Sequence, residues 1–157
     1  MEDVEYTNTR FDPDAIEFHS IAQRMAESVG YTAMLSVDRR LAQLLRLRVA
    51  QLNPCSYCLI LHTTAARDVG LHPAKVAHLA SWRESTMFRD DETAALAYAE
   101  ALTLFDQSVF AECHERLAAH FDEQAIAEIA AVVINMNVWT RLKLAQGAVP
   151  ALVAPGD

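Results

Sequence analysis

Two thiols and an imidazole lie close together in the stretch Asn53-Pro54-Cys55-Ser56-Tyr57-Cys58-Leu59-Ile60-Leu61-His62, which reads Cys-x-x-Cys-x-x-x-His. Positions i, i+3 and i+7 of a helix share one face. Asn53 and Pro54 read as N-cap and first helical residue, because proline lacks the N–H that would be orphaned there anyway. Cys55, Cys58 and His62 then project together from the first two turns, with Leu59 beside them. The partial positive charge of a helix N-terminus favours thiolate over thiol. A neutral His62, one turn beyond Cys58, can accept its proton. The pattern predicts dithiol redox chemistry in which oxidation links Cys55 to Cys58.

The two thiols are activated differently. Cys55 is nearer the helix start, where the dipole contributes about 0.3–1 kcal/mol. Cys58 is four residues before His62, and a positioned base contributes about 10²–10⁴-fold in rate. The base is the larger effect, so Cys58 reads as the attacking thiol and Cys55 as the resolving one. Two bland readings compete. Inert packing is the usual fate of a lone cysteine, and zinc could take Cys55, Cys58 and His62. Structural zinc normally has four ligands, and no fourth is nearby, so no metal is assigned.

The other candidates carry less. Cys113, in a helical segment, reads as a buried bystander. His19, His72, His78, His114 and His120 lack metal-ligand spacing and read as surface or cap residues. Trp82 and Glu84 fall in an irregular segment that could line the site, and Glu84 is the acid to test as a relay group. Trp139 reads as core or subunit interface.

Composition narrows the partners. The chain has 157 residues, 52% of them hydrophobic, with only 4 Gly and 5 Pro. This is one compact domain with room for a core. A net charge of −8 argues against nucleic acid or an anionic membrane as partner. Arg39, Arg40, Arg46 and Arg48 read as one solvated helix face. The acidic start shows no signal peptide, and no uncharged apolar run of spanning length is present. The protein therefore reads as cytoplasmic, where a thiol pair is catalytic or metal-binding rather than a static staple. No flavin, haem or nucleotide motif is present, so no cofactor is assigned.

The positioning elements are all helical, about seven of them. Residues 1–9 read as a flexible tail, 10–148 as the helical domain and 149–157 as a second tail, marked by Pro150 and Pro155. Asp12-Pro13 opens the first helix, which runs to Gly30. Ser36 caps a second, Val37 to Leu52, with the apolar stripe Leu41, Leu44, Leu45, Val49 and Leu52. Asn53-Pro54 breaks it, and the motif helix follows at once. His72-Pro73 starts a fourth helix to about Ser81. Asp90 or Asp91 caps a fifth, Ser108 begins a sixth, and Asp122 caps the longest, which ends at Gly147. Ile126, Ile129, Ala130, Val133, Ile134 and Val138 read as its core spine. No strand alternation survives comparison with helix spacing.

The stretch "LRLRVAQLNPCSYCLILHTTAARDVG" resembles the carboxymuconolactone decarboxylase-like superfamily, in its alkylhydroperoxidase AhpD-like branch. "SWRES", "ETAALAYAEALTLF" and the last helix with Asn135, Asn137, Trp139 and Arg141 extend the resemblance over residues 10 to 148. It implies an all-helical AhpD-like fold assembled as trimers or hexamers. It also implies a thiol peroxidase that takes a peroxide substrate and is recycled by an external thiol or disulfide-exchange reductant. By position, Cys58 matches the peroxide-attacking cysteine, Cys55 the resolving one and His62 the base. The pattern expects a relay Glu twelve residues before the first Cys, where this chain has Gln43. A glutamine can orient an imidazole but cannot take up a proton. A His that some members place between the cysteines is Tyr57 here. A disulfide reductase with little peroxidase activity, or a non-enzymatic module, is the alternative.

Overall fold

The computed structural model describes residues 4–153; Met1 to Asp3 and Ala154 to Asp157, with Pro155, lie outside the described residues. Seven α-helices carry the described chain: α1 (Phe18–Val29), α2 (Arg39–Leu52), α3 (Ser56–Asp68), α4 (Pro73–Ala77), α5 (Asp90–Leu104), α6 (Gln107–Ala118) and α7 (Glu123–Gln146). The all-α reading therefore holds. A two-stranded antiparallel sheet joins the ends: β1 (Val4–Asn8) pairs with β2 (Ala148–Leu152), Val4 opposite Leu152 and Asn8 opposite Ala148.

The core forms around α2. This helix packs against α3, α5 and α7, and Leu41, Leu44, Leu45, Leu47 and Val49 are all buried. A helix covered nearly all round has no solvated face for most of its length. That corrects the reading of its arginines. Arg39 and Arg40 are exposed, but Arg46 is buried, and Arg48 pairs with Glu100 at 2.7 Å.

Several helix starts differ from the sequence reading. The cap of α2 is Asp38 rather than Ser36, its carboxylate accepting from Arg40 N and Leu41 N at 2.9 and 3.0 Å. Ser36 instead donates its hydroxyl to Glu128 at 2.9 Å. Pro13 opens only a 3-10 turn, Pro13–Ala15, because Ile16 is extended and separates it from α1. The fourth helix stops at Ala77, and a 3-10 turn, Leu79–Glu84, continues from it. Arg89 caps α5, and Asp106 caps α6. At α7 both predicted ends hold: Asp122 accepts from Ala125 N at 2.9 Å, and Gly147 closes the helix with φ 70°.

The sheet corrects the expectation of an unstructured start and end with no strands. Each strand has five residues, and Pro150 lies within β2. Proline is tolerated there because a two-stranded sheet consists of edges. Gly147 permits the junction twice over. Its φ lies in the left-handed region, and a Cβ would collide with Thr9 Oγ1. Thr9 N donates to Gly147 O at 3.0 Å, tying the N-terminal segment to the end of α7. Tyr6 of β1 then stacks edge-on against Tyr57 of α3, with ring centroids 4.6 Å apart. The paired strands thereby cover the start of the motif helix.

Candidate dithiol site

The turn between α2 and α3 sets the site. Asn53 ends α2 rather than capping α3, because its amide is used elsewhere: Nδ2 donates to Asn137 Oδ1 at 2.9 Å and Thr140 Oγ1 at 3.2 Å on α7. Pro54 sits exposed in the turn, and Cys55 becomes the N-cap of α3. Its Sγ accepts from Cys58 N at 3.2 Å. Cys55 thus stands just before the helix, and Cys58 and His62 lie one turn apart within it. Cys55 and Cys58 are joined by a disulfide, with Cα atoms 5.2 Å apart. Cys113 is free and buried.

His62 is buried, and Gln43 of α2 meets it twice. Gln43 Nε2 lies 3.0 Å from His62 Nδ1 and 3.0 Å from the His62 carbonyl oxygen. Arg46, one turn further along α2, donates from Nη1 to Gln43 Oε1 at 3.4 Å. Its Nη2 donates to the carbonyls of Val29 at 3.2 Å and Gly30 at 2.8 Å. Burial first, and the Arg46 charge second, push His62 from 6.5 down to about 3. Burial lowers Arg46 to about 10. Among the described residues no carboxylate pairs with Arg46.

A cavity of about 140 Å³ opens beside these groups. Cys58, Leu61 and His62 line it from α3, Arg46 from α2, and Asn135, Met136 and Trp139 from α7. Ala26, Gly30 and Tyr31 close it from α1 and the loop behind it. The Tyr31 ring stands edge-on to His62 at 5.9 Å. Cys55 does not line this cavity. It borders a separate cleft with Arg10, Pro54, Ser56 and Lys143, bounded by Gly147 and β2. Lys143 Nζ lies over the Tyr57 ring at 4.2 Å. The two sulfurs of one disulfide therefore belong to residues facing two different openings.

Of the residues singled out from the sequence, Cys55, Cys58, His62 and Gln43 come together. Glu84 does not. It is exposed on the 3-10 turn and lines no part of the His62 cavity. The group from that segment with a buried partner is Trp82, whose Nε1 donates to Glu100 Oε1 at 2.7 Å. Trp139, read as core or interface, forms a cavity wall. The residue missed is Arg46. Its signal was its place three residues after Gln43 on a helix whose other neighbouring positions are apolar. Among the described residues no group of three or more His, Cys, Asp or Glu side chains is placed to hold a metal.

The fold and site define a mainly helical dithiol protein in which a Cys-x-x-Cys pair opens a helix packed against a buried partner helix. A model of the carboxymuconolactone decarboxylase family matches residues 19–101, more than half of the chain, and the protein belongs to that family. It is 31% identical over 124 residues to the uncharacterized protein YdfG of Bacillus subtilis (strain 168), covering 78% of this chain and 84% of that one. It is 33% identical over 109 residues to the uncharacterized protein YnjA of Escherichia coli (strain K12), covering 69% of this chain and 60% of that one. Among solved structures, it is similar to a protein of unknown function, ATU0492, from Agrobacterium tumefaciens, proposed to be the antioxidant defence protein AhpD. That match has a TM-score of 0.80 at 23% identity over 90% of this chain and 95% of the other. The debrominase Bmp8 matches with a TM-score of 0.73 at 20% identity over 85% of this chain and 70% of the other. The fold is thus the AhpD-like helical fold.

Proposed function

We propose that the protein is a thiol-dependent peroxidase of the alkylhydroperoxidase type, working through the Cys55–Cys58 dithiol. The observation that carries this reading is the disulfide itself, with Cys58 and His62 on one cavity and Cys55 on another cleft. In the reduced protein the Cys58 thiolate attacks a peroxide oxygen. An S–O bond forms, the O–O bond breaks, and the departing alkoxide takes a proton from water. Cys55 then attacks the Cys58 sulfenic acid, forming the S–S bond and releasing water. The sum is two thiols and one hydroperoxide giving one disulfide, one alcohol and one water. An external thiol returns two electrons by exchange. The cleft at Cys55, with the cations Arg10 and Lys143, is its route of approach. A reducing compartment such as the cytoplasm suits this cycle, since free thiols persist there.

One observation favours a second reading. With Gln43 in place of an acid, no carboxylate among the described residues lines the His62 cavity to relay a proton, which suits a disulfide reductase with little peroxidase activity of its own. One experiment separates the two. Reduced protein is mixed with one equivalent of an organic hydroperoxide, and both the protein mass and the alcohol formed are followed. A peroxidase loses two thiols per chain, links Cys55 to Cys58 and forms one alcohol per disulfide. Cys58→Ser abolishes sulfenic acid formation at the motif, and Cys55→Ser forms it but stalls, trapped by a dimedone-type probe. If the dithiol survives the hydroperoxide yet is oxidised by a small disulfide, the reductase reading stands. A sulfenic acid on Cys55 in the Cys58→Ser variant reverses the two roles.

A further inference from the structure

The position of the proton on His62 is decided by Gln43. The Gln43 terminus 3.0 Å from the His62 carbonyl must be the NH₂, because a carbonyl oxygen only accepts. The same NH₂ lies 3.0 Å from His62 Nδ1. An amide nitrogen donates and does not accept, so Nδ1 offers its lone pair. Arg46 Nη1 donates to Gln43 Oε1, which holds the amide the same way round. Arg46 is itself anchored on two backbone carbonyls. A neutral imidazole whose Nδ1 accepts carries its hydrogen on Nε2.

We propose that Gln43 and Arg46 are positioning residues that fix His62 as a hydrogen-bond donor through Nε2–H, so that His62 stabilises the Cys58 thiolate instead of taking up its proton. Three features bear on this. Protonating Nδ1 would set its N–H against the Gln43 N–H, two donors face to face. It would also place a second buried cation beside Arg46. Arg46 has no carboxylate partner among the described residues, and a buried guanidinium calls for a counter-charge; a thiolate at Cys58, on the same cavity, supplies one. The polar groups that touch His62 or line its cavity are Gln43 and Arg46 from α2, Tyr31 from the loop after α1, Tyr57 and Cys58 from α3, and Asn135 and Trp139 from α7. None of them is a carboxylic acid. The Cys58 proton therefore leaves to water, and the imidazole stays neutral throughout.

The consequence for catalysis rests on the proposed redox role of Cys58, but the test needs no peroxide. Reduced protein with ¹⁵N-labelled histidine is titrated from about pH 5 to about pH 9, spanning ordinary imidazole and thiol ionisations. Two-bond ¹H–¹⁵N correlations report the tautomer, with His62→Gln identifying the signals. Iodoacetamide alkylation of Cys55→Ser tracks the Cys58 thiolate in parallel. The expected result is a single His62 proton, on Nε2, both below and above the Cys58 ionisation. In Cys55→Ser, adding His62→Ala lowers alkylation at neutral pH by roughly tenfold or more, the scale of a lost hydrogen bond to a charged group. Gln43→Glu, which can only accept when ionised, moves the proton to Nδ1, frees Nε2 to act as base, and adds a new inflection to the alkylation pH profile. A wild-type His62 that gains a second proton as the thiolate forms, or that carries its proton on Nδ1, overturns the proposal. That outcome leaves the peroxidase test untouched, and a failed peroxidase test leaves the tautomer unchanged.

Discussion

His62 is 5% exposed and faces a cation, so its own ionisation is linked to the stability of the fold. In the unfolded chain it titrates near 6.5; in the folded chain burial first and Arg46 second hold it to about 3. Between those values the unfolded chain binds a proton that the folded one refuses. Acid therefore favours unfolding, and the stability present above pH 6.5 falls progressively toward pH 3, below which this contribution levels off. The effect is on the order of several kcal/mol at most. Removing the titrating group removes that slope. We expect the stability difference between about pH 7 and about pH 4 to be smaller in His62→Gln than in the wild type, the carboxylates contributing equally to both. Denaturant unfolding of the oxidised forms measures it. Equal pH dependence in the two proteins would show that His62 is not held neutral.

At the scale of elements, the packing of α2 against α5 and the 3-10 turn passes through one carboxylate. Glu100 accepts from Arg48 Nε at 2.7 Å, Trp82 Nε1 at 2.7 Å and Arg83 Nη1 at 2.5 Å. Burial pushes its pKa up, but the bonds from Trp82, Arg83 and Arg48 outweigh burial and hold it below the usual carboxylate range. Its stabilisation is present above that range and is lost as pH falls through the lowered value. Glu100→Gln keeps an acceptor for Trp82 but leaves the largely buried Arg48 without its counter-charge. Breaking a buried pair costs about 3–5 kcal/mol, and the exposure of Arg83 places this case near the lower end. Chemical denaturation at neutral pH should show that loss. A loss no larger than a surface substitution would remove Glu100 as the joint between these elements.

At the scale of the whole molecule, one helix among the described residues, α7, meets the length and composition of a membrane span, yet part of its apolar surface is buried in the core. Ile129, Val132, Val133 and Met136 of α7 are buried, and α7 packs on α1, α2 and α5. Where the end of α5 meets α7, apolar surface is left bare. Phe105 is 76% exposed, Leu104 60% and Ile134 50%. Phe105 also holds a left-handed φ of 53°, a conformation unfavourable for a bulky residue. An apolar patch of this kind suits contact with further copies of the chain. We expect a homotrimer or homohexamer in solution. Light scattering should give a mass well above the 17.4 kDa of one chain. Phe105→Glu together with Ile134→Glu should lower it while leaving the helical content unchanged. A wild-type mass of one chain at every concentration rejects the assembly.

What the sequence determined by itself was local. The Cys-x-x-Cys-x-x-x-His spacing, the all-α class, the Asn53-Pro54 break and both ends of α7 follow from turn chemistry, capping and helical period within a few residues. The disulfide partners were legible for the same reason. The tertiary structure decided what depends on contacts distant in sequence. Asn53 was taken from α3 by Asn137 and Thr140, which shifted the cap to Cys55. A one-sided apolar stripe would leave Arg46 solvated, but α2 is covered on nearly every side. Ile134 looked like core and lies half exposed, because the buried surface of α7 runs through Val132, Asn135 and Met136 instead. β1 and β2 pair across the length of the chain, a match that no local alternation signals. The surroundings of His62 belong to the same group. The spacing to Cys58 offers a base, and the contacts on which the proposed tautomer rests come from a glutamine of another helix held by a buried arginine.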